Sequence, residues 1–147
     1  MQPAISLDDF DVLPGFKPLS LRGPFFGGRT LLTDRNGRGD GMMIRITDSD
    51  CNALGITHGG VIATLADIFL VHFLARRLPA ATGLVTSSLA VDYVGRSTAG
   101  DWLSGRIHAH HIGRRLCVAS GELRVGERTI ALISASCAVF DSTRNPT

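Results

Sequence analysis

Residues 57–77 read Thr57-His-Gly-Gly-Val-Ile-Ala-Thr-Leu-Ala-Asp67-Ile-Phe-Leu-Val-His72-Phe-Leu-Ala-Arg-Arg77. From Val61 to Leu74 nearly every position is apolar, and only Thr64, Asp67 and His72 break the run. A helix so composed is apolar on almost every side and has to be buried. It falls short of the roughly 20 residues that a bilayer requires, and a carboxylate lies at its centre, so a core helix is expected rather than a membrane span. Thr57 is an acceptable N-cap, with His58, Gly59 and Gly60 forming the first turn.

Working outward from this helix, the pattern changes period after Pro79. Four segments of β character follow, near Leu84–Val94, Asp101–Ile112, Leu116–Val125 and Thr129–Phe140, with Gly95, Gly100, Gly113 and Gly126 in the turns between them. Leu103, Ile107 and Ala109 alternate with Trp102, Ser104, Arg106, His108 and His110, as a sheet with one buried face requires. On the N-terminal side, Asn36-Gly37 reads as the tip of a hairpin joining Thr30–Thr33 to Met42–Thr47. Four prolines in the first forty residues keep regular structure there short. One long apolar helix, preceded by a hairpin and followed by an antiparallel meander, is an α+β pattern in which helix and sheet must cover each other. The simplest solution is the hotdog architecture, a curved antiparallel sheet wrapped around one long central helix, although other helix-on-sheet packings satisfy the same pattern. One domain over residues 1–147 is expected, with an irregular segment over 1–40 and the folded core over 41–141.

Composition excludes several functions. The chain has 147 residues, 15 basic and 13 acidic, and only Lys17 among the basic residues is lysine. A Gly-Lys-Ser/Thr phosphate loop is therefore absent. The small positive excess makes nucleic acid a poor default partner. Cys51, Cys117 and Cys137 are odd in number and widely spaced, which suits free thiols in a reducing compartment, and the first residues lack the charge and apolar core of a secretory signal. A cytoplasmic protein is expected. His108, His110 and His111 lack the further ligand a metal site needs, and Arg38 and Arg45 occupy ligand positions of what would otherwise resemble a calcium loop over 34–45, so no metal is expected. No Gly-x-Ser-x-Gly elbow occurs. His72, on the buried face, reads as a core histidine without a recognisable partner.

Two features of the helix carry chemistry. Consecutive glycines at a helix start are poor helix formers, but they let a ligand approach backbone N–H groups that have no intrahelical partner and that favour negative charge. Gly59 and Gly60 could thus form an oxyanion hole; equally, they could let the helix pass close to a strand. Asp67 is a carboxylate among Leu65, Ala66, Ile68 and Phe69, so it needs a partner or a function. Gly59 and Asp67 are eight residues apart, about 12 Å along one helix axis, whereas a reacting carbonyl needs donor and base each about 3 Å away. If both act on one carbon, two copies must meet with antiparallel helices. An obligate homodimer with two shared sites, or a dimer of such dimers, is expected.

The spacing Asn52, Gly55, His58-Gly59-Gly60, Leu65, Asp67, followed by Val91-Asp-Tyr93-Val and Gly100-Asp101, closely resembles the hotdog-fold acyl-CoA thioesterases of the phenylacetate-degradation (PaaI-like) type. That resemblance implies thioester hydrolysis without a cofactor. Gly59 would offer its N–H to the thioester oxygen, Asn52 would orient the carbonyl or water, and Asp67 would be base or nucleophile, with His58 beside them. A hydroxyl from the strand after the helix accompanies the carboxylate in such enzymes, and Thr86 stands at that position, seven residues before Tyr93. Gly60, Arg96, Arg114 and Arg115 would contact coenzyme A, its phosphates suiting arginine. A non-catalytic acyl-CoA-binding module and an enoyl-CoA hydratase remain the competing readings, since fold alone does not choose among them. Arg76 and Arg77 are expected at the helix C-terminus.

Overall fold

A computed structural model describes residues 15–19, 25–26 and 29–144. The expected helix runs over Gly59–Ala75 (α1), two residues shorter at each end than the stretch 57–77. Its start is capped by His58, not Thr57. The imidazole Nδ1 of His58 accepts the N–H of Gly60 at 2.9 Å, while the Thr57 hydroxyl is drawn away to Ser97 Oγ at 2.6 Å. A cap needs a free side-chain acceptor, and a partner forty residues on had taken the one that local reading would choose.

The described residues form seven strands, of which the last four pack on the helix: β1 (Phe16–Leu19), β2 (Leu31–Asp34), β3 (Gly41–Arg45), β4 (Thr82–Tyr93), β5 (Trp102–Ile112), β6 (Leu116–Val125) and β7 (Arg128–Asp141). They form one antiparallel sheet in the order β1-β2-β3-β5-β6-β7-β4. Two of them lie in the segment expected to be irregular, and β2–β3 is the hairpin that Asn36-Gly37 announces. Ile62, Leu65, Ala66, Phe69, Leu70, Phe73 and Leu74 of α1 are buried against Leu103, Cys117, Ala119, Ile133, Ala135 and Cys137 from the sheet. Each fully buried Leu or Phe contributes about 1.5–3 kcal/mol. Gly105 of β5 admits the Phe69 ring, which lies only 2.4 Å from where a Cβ would stand.

In β5 the alternation fails with consequence. A bulge between Ile107 and Ala109 shifts the register of β5 against β6. His108 and His110, expected on one face, are thereby separated: His110 packs edge-on against Phe73, with centroids 5.0 Å apart, and His108 approaches Glu122 on the other face. Ala109 turns outward in exchange. His72 also has a partner after all, Thr33 Oγ1 at 3.2 Å from Nε2. Burial lowers the His72 pKa, as does the charge of Arg76, against a smaller opposing effect of Asp34. Arg77 lies over the Phe73 ring, donates to Phe73 O and pairs with Asp40. Arg76 reaches the β2–β3 turn instead, donating to Gly37 O.

Candidate active site

The loop entering α1 is fixed by groups distant in sequence. Asp50 is 4% exposed and receives the Arg29 guanidinium and the Thr47 N–H, the latter at 2.8 Å. Burial pushes this carboxyl up, but the Arg29 and Thr47 hydrogen bonds and the Arg29 charge together hold it below its ordinary value. The Asp50 carbonyl takes the His58 N–H at 2.8 Å, and the Ser97 carbonyl takes that of Thr57 at 2.8 Å. The helix start is thus tied to both the preceding 3-10 turn (Asp48–Asp50) and the β4–β5 connection.

At that start lies a cleft of about 200 Å³ lined by Asn52, Gly59, Ile62, Tyr93, Arg96 and Ser97, among others. The Gly59 N–H has no acceptor among the described residues. The Gly60 N–H is occupied by His58, which leaves the ring proton of neutral His58 on Nε2, available as a donor. Asn52 Oδ1 accepts the Leu54 N–H at 2.9 Å, so its amide group is the part free to donate. Glycine at 59 is required neither by its backbone, which is not left-handed, nor by crowding. A Cβ there would meet the Tyr93 ring first, at ordinary contact distances of 3.4–3.5 Å. The close-packing explanation for this glycine therefore loses its basis, and access to the amide remains.

Asp67 lies elsewhere, half-buried on α1 and outside the cleft lining. Thr86 Oγ1 donates to its Oδ1 at 2.6 Å, while Oδ2 has no partner among the described residues. Thr86 sits at a bulge in β4, between Thr86 and Ser88 in the pairing with β7, a device that re-aims a side chain at a site. Its cross-strand neighbour Cys137 is fully buried. Burial pushes that thiol up, the nearby Asp67 and Cys117 add to the rise, and Thr86 opposes it. It is a protonated thiol rather than a nucleophile.

The residues singled out by sequence therefore form two groups. Asn52, His58, Gly59, Gly60 and Arg96 meet at the helix start, and Asp67 meets Thr86 two turns further on. Arg114 and Arg115 join neither. Arg114 lines a shallow depression with Thr82, Phe140 and Asp141, and Arg115 is exposed beside it. These lie at the opposite end of the twelve-residue β4, about 35 Å from Tyr93 at 3.3 Å per residue. Sequence reasoning missed Tyr93, whose hydroxyl donates to the Gly59 carbonyl at 2.7 Å. It is the sole tyrosine of the chain and stands in the Val91–Val94 stretch that carries the family resemblance, but it was given no role there. No cluster of residues suited to a metal occurs among the described residues, and none of their helices is long and apolar enough to cross a membrane.

The profile of the thioesterase superfamily matches residues 54–131, more than half of the chain. A Pseudomonas aeruginosa protein that carries the provisional name of esterase is 33% identical over 135 residues, covering 84% of this chain and 94% of its own. A Bacillus halodurans protein solved with CoA is 27% identical, covers 69% of this chain and 67% of its own, and superposes with a TM-score of 0.64. A variant of the phenylacetic acid degradation protein PaaI of Thermus thermophilus shares the fold at 22% identity, with 89% and 98% coverage and a TM-score of 0.60. With its helix wrapped by an antiparallel sheet in the hotdog manner and the family profile matching more than half of its length, the chain belongs to the thioesterase superfamily and is a hydrolase.

Proposed function

We propose that this protein hydrolyses acyl- or aryl-CoA thioesters at sites shared between two copies, each site joining Gly59 of one protomer to Asp67 of the other. The observation that carries this reading is the division of the site. An open amide and a hydroxyl-bonded carboxylate stand on one helix about 12 Å apart along its axis, too far to serve one carbonyl.

The edge of the sheet supports the same reading. β4 is the last strand beyond β7, and a long unpaired edge invites pairing with another chain. Leu89, Val91 and Tyr93 share the helix-facing side of β4, while Ala90 and Asp92 face away. Antiparallel pairing of two β4 strands that keeps like faces together requires a two-fold axis through a residue. An axis at Ala90 sets Leu89 against the partner's Val91 and lays the Thr86–Ser87 bulge opposite the partner's Tyr93. The partner's Gly59, bonded to that tyrosine, then lies beside Asp67. The same pairing moves the partner's Arg114 end toward Arg96, which gives both arginines access to one nucleotide.

In this site the thioester oxygen accepts the Gly59 N–H, one such donor contributing roughly 3 kcal/mol to the transition state. Asn52 donates to the carbonyl or to water. Asp67, oriented by Thr86, either takes a proton from water as the oxygen attacks the carbonyl carbon, or attacks that carbon itself to give an anhydride that water opens. In both routes the C–S bond breaks and coenzyme A leaves as a thiol after taking up a proton. No cofactor is needed for a carbonyl already this electrophilic. The CoA bound to the Bacillus halodurans relative supports the leaving group.

The test is free-thiol release from short, long and aromatic acyl-CoAs by wild type and Asp67→Ala. Release from at least one substrate, slowed by about 10²–10⁴ in the variant, is expected. No release from any, or equal release by both proteins, contradicts the reading. Labelled solvent oxygen found in Asp67 after a single turnover marks the anhydride route.

A further inference from the structure

The helix start that presents the Gly59 amide is built from two glycines, each costing up to about 1 kcal/mol relative to alanine in a helix, and chain ends of this kind fray. Four contacts oppose that. The Asp50 carbonyl holds the His58 N–H, and the His58 carbonyl receives the N–H groups of Val61 and Ile62. His58 Nδ1 holds the Gly60 N–H. The fourth comes from another element: the Tyr93 hydroxyl, at the last residue of β4, donates to the Gly59 carbonyl at 2.7 Å. The peptide unit between Gly59 and Gly60 is therefore gripped at both ends, by a phenol on its oxygen and an imidazole on its nitrogen, and bonds in series through one amide strengthen each other. The Tyr93 ring lies against Gly59 as well, with Cζ and Oη each 3.4 Å from the position of a Cβ. It is nevertheless 53% exposed, more than a side chain whose role was only to fill the core.

We infer that Tyr93 is a positioning residue for thioester hydrolysis, its hydroxyl holding the Gly59 carbonyl, and through it the residue whose N–H is the oxyanion donor, at a fixed place relative to β4, the strand that also carries Thr86 and through it orients Asp67. The inference rests on the reading of Gly59 as oxyanion donor. An amide that moves by a fraction of an ångström loses most in the transition state, where the oxyanion contact is shortest. The loss is expected in kcat rather than in KM.

Tyr93→Phe deletes the hydroxyl and keeps the ring. Thiol release by this variant should show kcat reduced about five- to ten-fold, the scale of one hydrogen bond, with KM for the same acyl-CoA unchanged and the unfolding midpoint near that of wild type. Amide hydrogen exchange over residues 59–62 should be faster, a readout that does not depend on turnover. Gly59→Ala is run beside it. An unchanged kcat in Tyr93→Phe with an inactive Gly59→Ala overturns the role of Tyr93 and leaves the oxyanion reading intact. A raised KM with unchanged kcat also overturns it, making Tyr93 a wall of the cleft. Alanine keeps the N–H and only crowds its approach, so full activity in Gly59→Ala means that nothing comes close to this amide in the reaction, which removes the oxyanion reading and the role of Tyr93 with it.

Discussion

Gly59→Ala separates a glycine kept for packing from one kept for catalysis, because the structure predicts opposite signs for stability and activity. The added Cβ meets nothing nearer than the Tyr93 ring at 3.4 Å, an ordinary contact, and the backbone is not left-handed. Alanine exceeds glycine by up to about 1 kcal/mol in a helix interior, and a first-turn position gives less, so the variant should be unchanged or more stable by about 0.5 kcal/mol. For a chain of this length that is a rise of about 1–3 °C in Tm. Activity should move the other way. The N–H is retained, but the methyl group stands beside the nitrogen that the thioester oxygen must approach, and a contact so obstructed should reduce kcat by up to the roughly 10²–10³-fold that loss of one oxyanion donor costs. Urea unfolding and thiol release on the same preparation measure both quantities. A variant destabilised by more than about 1 kcal/mol, on the scale of an overpacked site, or one that retains wild-type kcat, refutes the argument.

Two further outcomes follow from the same geometry. Asp50→Asn breaks a buried pair with Arg29 and should destabilise the fold by about 3 kcal/mol at neutral pH. Because the folded carboxyl is held below the ordinary value of 3.8, its stabilisation is complete above about pH 5 and is lost as pH falls through the folded pKa. Urea midpoints of wild type and variant should therefore converge towards pH 3, and a constant difference across that range would sink the claim. Ala90→Cys, made with Cys51→Ser, places the new thiol on the expected two-fold axis. Directly opposed residues in an antiparallel pair have Cα atoms about 4.5–5.5 Å apart, within disulfide reach. Mild oxidation should give a covalent dimer on a non-reducing gel much faster than for His111→Cys, and equal rates for the two would argue against pairing through β4.

Local chemistry made the helix legible, because the run from Val61 to Leu74 admits no exposed face, and it made β6 legible to the residue, since Leu116–Val125 lies between two glycine turns. The same logic isolated Gly59 and Asp67, each an anomaly in its own surroundings. What local reading missed depends on distant partners. His58 caps the helix because Ser97 holds Thr57. The β5 bulge turns His110 inward because β6 fixes the register. Tyr93 meets Gly59 because β4 ends beside the helix start, thirty-four residues later in sequence. No periodicity encodes such meetings, and the separation of Arg114 from Arg96 became evident only once the two ends of β4 had been located.

The shared site is tested most directly by mixing two inactive chains. Asp67→Asn and Gly59→Ala are co-expressed with different tags, and the mixed dimer is purified through both. If each site takes its amide from one chain and its carboxylate from the other, every mixed dimer has one intact site. Its kcat per dimer should then be about half that of wild type, or about a quarter in an unfractionated random mixture. If each chain builds its own site, the mixed dimer is as inactive as its parents, and that result would contradict the account.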